Sequence, residues 1–189
     1  RQIMIAFELW QVKGKKASKR VHQQRTRRTC LGELVQIDGS PHDWFEGRAP
    51  ECCLIVFVDD ATSQLVALHF VEVECTQGYF DAIEQHLRSY GRPLAYYSDQ
   101  HSIFRVNIKE AQTGSGLTQL GRACQALGIE LIHASTPQAK GRVERANKTL
   151  QDRLVKEMRL AKINNIEQAN AWLDDFIKTY NQRFGVTPQ

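Results

Sequence analysis

The stretch ECCLIVFVDDATSQLVALHFVEV, residues 51–73, holds two runs rich in β-branched and aromatic residues, 51–58 and 64–73, on either side of Asp59-Asp60-Ala61-Thr62-Ser63. A short polar break with adjacent aspartates between two such runs reads as a β-hairpin, the aspartates serving local turn hydrogen bonds. Upstream, Leu34-Val35-Gln36-Ile37 reads as a short buried strand that ends in the turn signal Asp38-Gly39-Ser40-Pro41. Three antiparallel strands therefore come first.

Downstream the period changes. Thr76 can cap a helix over 76–90 with Tyr79, Phe80, Ile83 and Leu87 on one face, stopped by Gly91 and Pro93. A strand over 94–97 places Ser98-Asp99 at its C-terminal end, and then come a helix over 116–127, a strand over 129–133 and a long helix over 139–160. Asn165 caps a last helix whose apolar stripe is Ile166, Ala169, Trp172, Leu173, Phe176, Ile177 and Tyr180, with Gly185 beyond its end. The order βββαβαβαα predicts an α/β fold with a mixed five-stranded sheet, three antiparallel strands and then two parallel ones, flanked by helices.

A chain of 189 residues fits one main domain. It starts at Arg1 and ends at Val186-Thr187-Pro188-Gln189, which reads as a fragment of a longer protein. No apolar run long enough for a membrane span is present. Five cysteines (Cys30, Cys52, Cys53, Cys75, Cys124) lack C-x-x-C spacing, and four stand in apolar surroundings; reduced buried thiols in a cytosolic protein are expected. The net charge of +4 is uneven, because residues 1–30 hold nine Lys or Arg against one acid, Glu8, while the rest holds 16 basic against 20 acidic residues. Residues 1–30 thus read as a basic linker or arm and 31–189 as the folded core; that the arm comes from a missing N-terminal DNA-binding region is what the family resemblance below implies. Within the arm, KGKKASKRVHQQRTRR (residues 13–28) has almost nothing apolar to bury, so its charges stay in water or lie on DNA phosphates.

The acids are more informative. In open α/β sheets ligands gather at strand C-termini, and Asp38 and Asp99 end the first and fourth strands, side by side if those strands are neighbours. On the long helix, PQAKGRVERANKTLQ (residues 137–151) buries Val143, Ala146 or Asn147, and Leu150, leaving Lys140, Glu144, Lys148 and Gln151 along another line. By itself Glu144 would be one rung of an i,i+4 ladder with Lys140 and Lys148, worth a few tenths of a kcal/mol per pair. Together, three carboxylates from two strand ends and one helical turn can hold a pair of divalent cations, for which hard oxygen donors and substrate phosphate suffice. Asp59 and Asp60 read as turn residues; His42, following Asp38, and His101, following Asp99, are possible accessory groups near substrate. No G-x-x-x-x-G-K-[ST] loop is present, which argues against ATP-driven action.

These residues also carry a family resemblance. VQIDGSPHDWFE, YYSDQHSIF and STPQAKGRVERANKTLQDRLVKEMR look like the three blocks of the retroviral-integrase-like catalytic core of DDE transposases, most closely bacterial insertion-sequence transposases of the ISNCY type. The resemblance covers about residues 30–189, including the closing YNQRFGVTP. It implies an RNase H-like fold and a catalytic, metal-binding triad of Asp38, Asp99 and Glu144 with two Mg²⁺ or Mn²⁺ ions. It also implies DNA cleavage by water followed by attack of the freed 3′-hydroxyl on target DNA. Gln138, Lys140, Arg142, Arg145, Asn147 and Lys148 match positions that approach DNA around the family's glutamate. The implied partners are transposon ends and target DNA, with a homo-oligomer assembled on DNA in the bacterial cytoplasm, associated with the nucleoid. Between Asp99 and Glu144 lie 44 residues, more than in the retroviral pattern, and NIKEAQTGSG (residues 107–116) reads as the extra loop. The alternatives are an inactive DNA-binding module of the same fold and an RNase H-like nuclease without strand transfer.

Overall fold

The computed structural model describes residues 26–99, 101–104, 117–134 and 140–188. Five strands, β1 (Val35–His42), β2 (Cys52–Asp59), β3 (Leu65–Val71), β4 (Ala95–Ser98) and β5 (Glu130–His133), form one sheet in the order β3-β2-β1-β4-β5. The pairings β1–β2 and β2–β3 are antiparallel, and β1–β4 and β4–β5 are parallel. Four helices, α1 (Thr76–Tyr90), α2 (Gln119–Ala126), α3 (Gly141–Leu160) and α4 (Ile166–Phe184), cover its two faces. The meander followed by parallel crossovers is the expected mixed sheet.

Every residue of β2 is buried, because this strand has a helical layer on each side. Leu54, Val56 and Val58 pack with Trp44, Phe70 and the apolar stripes of α3 and α4. Ile55 and Phe57 join Tyr79 and Ile83 of α1 and Leu120 and Cys124 of α2 on the other face. Gly78 lets α1 approach the sheet closely: a Cβ there would lie 2.6 Å from Val71 and 2.7 Å from Ile55.

The first strand differs from its expected length. Asp38-Gly39-Ser40-Pro41 is not a turn; β1 runs on to His42 in register with β2, Asp38 opposite Val56 and His42 opposite Cys52. Its partner β4 pairs only at Val35 and Gln36. Past that point β1 is an edge on one side, where a proline costs little. Asp38 therefore stands inside a strand, just beyond the end of its parallel neighbour, and Asp99 stands directly after β4.

Helix ends agree in part. Asn165 caps α4 by accepting from the Gln168 N–H, and Thr118 caps α2 by accepting from the Gly121 N–H. Thr76 opens α1 instead of capping it, and Cys75 holds the capping position without a side-chain bond. Three cysteines are buried, not four, and Cys30 and Cys75 are exposed; all five are free thiols. The proposed extra loop at 107–116 lies outside the described residues. Among the described residues no helix is long and apolar enough to cross a membrane.

The outer strand β3 leaves backbone groups unpaired on one side, a hazard that proteins cover. Two asparagines of α4 do so. The Asn181 side chain accepts from the Leu65 N–H at 2.8 Å and donates to the Leu65 carbonyl at 2.8 Å. Asn170 does the same for Phe70, at 2.7 and 3.0 Å. Replacing Asn181 by Ala should cost about 1–3 kcal/mol, measured as a lower denaturation midpoint at unchanged slope. An unaltered midpoint would show that the β3 edge does not depend on α4.

Candidate active site

Three even-numbered residues of β1 point toward α3, and each meets it. The Gln36 amide oxygen accepts from the Arg142 and Val143 N–H groups at 3.2 and 3.1 Å. Asp38 Oδ2 accepts from Asn147 Nδ2 at 2.9 Å, and Ser40 Oγ accepts from Gln151 Nε2 at 3.1 Å. Two residues of strand advance roughly 6.6 Å and four residues of helix roughly 6.0 Å. Positions 36, 38 and 40 therefore keep step with 143, 147 and 151, and the helix lies parallel to the strand.

The start of α3 is satisfied from a distance. Lys140 precedes the helix without a side-chain cap of its own, and Gln36 takes two of the N–H groups that every helix leaves free there. Gln36 is held in turn by Asp60, whose Oδ1 accepts from Gln36 Nε2 at 3.0 Å. Asp60 Oδ2 accepts from the Arg28 N–H at 3.0 Å, and Arg142 Nε lies 3.5 Å from Asp60 Oδ1.

Both aspartates of the hairpin turn are fully buried. Asp59 makes the expected local bonds, to the N–H and hydroxyl of Thr62, and also accepts from the Gly32 N–H at 2.9 Å. The aspartate pair is thus a junction between the turn, the segment entering the core and the start of α3. The sequence signal is the adjacent acids; their burial, which demands such partners, is not visible there. Arg27 reaches Ala61 O at 3.0 Å and Ser63 Oγ at 2.8 Å. The end of the basic arm is therefore tied to the core ahead of the expected boundary at residue 31; residues 1–25 lie outside the described part.

Asp38 and Asp99 come together as expected, around one cation. Lys140 Nζ lies 2.5 Å from Asp38 Oδ1 and 3.6 Å from Asp99 Oδ2. Lys140 is only 6% exposed, so it is an internal counter-ion. Asp99 Oδ1 also accepts from the His101 N–H at 2.9 Å. Burial raises the Asp38 pKa above the ordinary carboxylate value; Lys140 pulls it back, and the nearby Asp99 and Glu74 carboxylates push it up again.

Glu74 is an addition that the sequence does not signal. Its carboxyl group lies over Gly39, where a Cβ would come within 2.5–2.7 Å of it, and it accepts from the Tyr79 hydroxyl at 2.6 Å. Gly39 reads as a turn residue in the sequence; its smallness instead admits this carboxylate beside Asp38.

Glu144 is exposed in the first turn of α3. The structure does not bring it to the two aspartates: among the described residues no three His, Cys, Asp or Glu side chains gather as a metal-ligand set. The alternative ladder is not formed either, since Lys140 turns inward to Asp38 and Asp99, and no ion pair of Glu144 or Lys148 occurs among the described residues.

The other expected DNA-facing residues divide. Lys140 and Asn147 are buried against Asp38, and Arg142 is engaged with Asp60. Arg145 and Lys148 are exposed, and Arg145 lines a cleft with Arg27 and Arg142. Gln138 lies outside the described residues. His42 packs edge-on against Trp44 at 5.2 Å, four strand residues from Asp38, roughly 13 Å. His101 meets the site through its backbone N–H.

Divalent cations fit the aspartate pair on one observation: a buried ammonium already sits between the two carboxylates. The donors are hard oxygens of the kind that Mg²⁺ and Mn²⁺ prefer. Asn147 Oδ1 adds a buried oxygen without a hydrogen-bond partner.

Known proteins resemble the chain in sequence and in fold. Residues 125–183 match the integrase core domain family. The chain is 50% identical over 188 residues to a Sinorhizobium fredii protein named "Putative transposase y4bF", spanning all of this chain and 41% of the relative. It is 42% identical over 171 residues to the transposase for insertion sequence IS1202 of Streptococcus pneumoniae, covering 88% of this chain and 36% of that protein. The chain thus spans well under half the length of these curated relatives. Among solved structures, the HTLV-2 integrase catalytic core domain in complex with magnesium superposes with a TM-score of 0.58 at 19% identity, covering 82% of this chain and 91% of that one. The simian T-cell lymphotropic virus intasome in complex with PP2A regulatory subunit B56 gamma gives 0.62 at 20% identity, covering 86% of this chain and 54% of that one. At such identities the likeness is one of fold, the RNase H-like fold of integrase cores. With the sheet order, the paired aspartates and the transposase relatives in view, the chain is similar to the DDE transposase and integrase-like catalytic cores.

Proposed function

We propose that the chain is the part of a DDE transposase that cuts a transposon end and joins its freed 3′-hydroxyl to target DNA, with Asp38, Asp99 and Glu144 holding two Mg²⁺ or Mn²⁺ ions. The observation that carries this reading is the convergence of Asp38 and Asp99 on one buried cation, next to the helix that bears Glu144. When bound, the ions would polarise the scissile phosphate and lower the pKa of the attacking hydroxyl.

The residues of the chain do the positioning. Asn147 fixes one oxygen of Asp38, and the His101 N–H fixes one oxygen of Asp99. Glu144 shares the helix face that lies on β1, roughly 20° around the axis from Gln151 and roughly 60° from Asn147. Joining the aspartates at a metal would require its side chain to turn inward toward Asp38, and its exposure leaves room for that turn. Exposed Arg145 and Lys148 are suited to DNA phosphates. The attacking groups are water and then the 3′-hydroxyl of DNA, so no covalent link to the protein forms. We place this activity in the bacterial cytoplasm, on a homo-oligomer assembled by the DNA ends.

Incubating the full-length protein with a labelled transposon end, a target plasmid and Mn²⁺ tests the reading. Joined products are expected, and Glu144→Gln should abolish them while DNA binding persists. Nicking without joining would favour a nuclease, and binding alone an inactive module. Gln36→Ala removes the acceptor that sets the start of α3, and should lower joining by up to about 100-fold, as a small misplacement of a catalytic group by a distant mutation can, with DNA affinity unchanged. An undiminished rate would show that α3 needs no such anchor. For the arm, residues 1–25 hold seven of its nine cations. Deleting them should flatten the dependence of log K on log salt, by roughly 0.9 for each phosphate that the arm no longer neutralises; an unchanged slope would remove the arm from DNA.

A further inference from the structure

The buried lysine between the aspartates has a consequence for how the site is loaded. Lys140 reaches both carboxylates from the residue before α3, and that helix is pinned to β1 through Gln36, Asn147 and Gln151. Its ammonium is therefore held in place by a scaffold as well as by charge. Two carboxylates this close repel each other, and a lysine this buried is costly unless paired. Each partner thus relieves the other, and the DNA-free protein is internally neutralised at the point where a divalent cation would bind.

An ammonium and a metal ion cannot both occupy the gap between Asp38 Oδ1 and Asp99 Oδ2. Metal entry requires the lysine to leave, and a displaced buried ammonium needs another anion. Lysine is suited to this, since its charge sits on a flexible four-carbon stem and binds phosphate as a point charge. A DNA phosphate brought to the site would supply the anion.

We propose that Lys140 is a built-in competitor of the divalent ion, holding Asp38 and Asp99 in the absence of DNA and releasing them when a DNA phosphate accepts its charge, so that metal loading is coupled to DNA binding. This rests on the assignment of Asp38 and Asp99 as metal-binding residues. The coupling is reciprocal: whatever factor DNA contributes to metal affinity, metal contributes to DNA affinity.

The test is Mn²⁺ binding to the full-length protein, read as loss of the free Mn²⁺ electron paramagnetic resonance signal, with and without a transposon-end duplex that cannot be cleaved. Lys140→Gln should bind Mn²⁺ at least about tenfold more tightly than wild type without DNA, since a neighbouring charge moves an ionic equilibrium by about one to three powers of ten. DNA should raise the affinity of the wild type and change that of Lys140→Gln much less. Lys140→Arg, which keeps the charge, should resemble the wild type, and thermal melting of each variant identifies any that fails to fold. Equal or weaker Mn²⁺ binding by folded Lys140→Gln, or a DNA effect of the same size in both proteins, would overturn the proposal. Asp38→Asn separates the two claims: if it binds Mn²⁺ as the wild type does, the metal assignment itself fails, whatever Lys140 does.

Discussion

The structure depends on the polar seam between β1 and α3. Gln36, Asp38 and Ser40 along the strand meet the Arg142 and Val143 N–H groups, Asn147 and Gln151 along the helix. An apolar stripe alone would let α3 slide or roll against the sheet, because burial is not directional. Hydrogen bonds at matched steps fix its register, and with it the places of Lys140 and Glu144. The apolar core beneath, Val143, Leu150 and Leu154 against Leu54, Val56 and Val58, supplies the cohesion.

Around that seam the charges are organised in two groups. Asp60, fully buried, joins Gln36, Arg28 and Arg142, and so links the end of the basic arm to the start of α3. Asp38 and Asp99 share Lys140, and Glu74 stands near Asp38. Buried charges persist only when paired, and the pairings here lie along one line from the entering chain to the candidate site.

Much of this is legible in the sequence. The apolar runs and the changes of period identify the five strands and four helices of the described residues, and the topology makes Asp38 and Asp99 neighbours. What fails does so for physical reasons. Gly39-Ser40-Pro41 has turn chemistry, but pairing with an eight-residue β2 keeps it extended, and β4 is too short to forbid the proline. Lys140 resembles a surface rung because i,i+4 spacing assumes a solvated helix face, whereas it precedes the helix and points into the fold. Asp59 and Asp60 look local because sequence shows turn propensity and not burial. Glu74 gives no signal of its own; it reaches the site through a gap left by a glycine 35 residues earlier in the chain.

If Asp38, Asp99 and Glu144 form one metal site, anomalous scattering from a Mn²⁺ complex of the protein bound to a transposon-end duplex should show two Mn²⁺ peaks about 3.5–4 Å apart, ligated by Asp38, Asp99 and a Glu144 turned inward, with Lys140 moved onto a DNA phosphate. Peaks elsewhere, or an aspartate-bound ion with Glu144 still facing solvent, would contradict it.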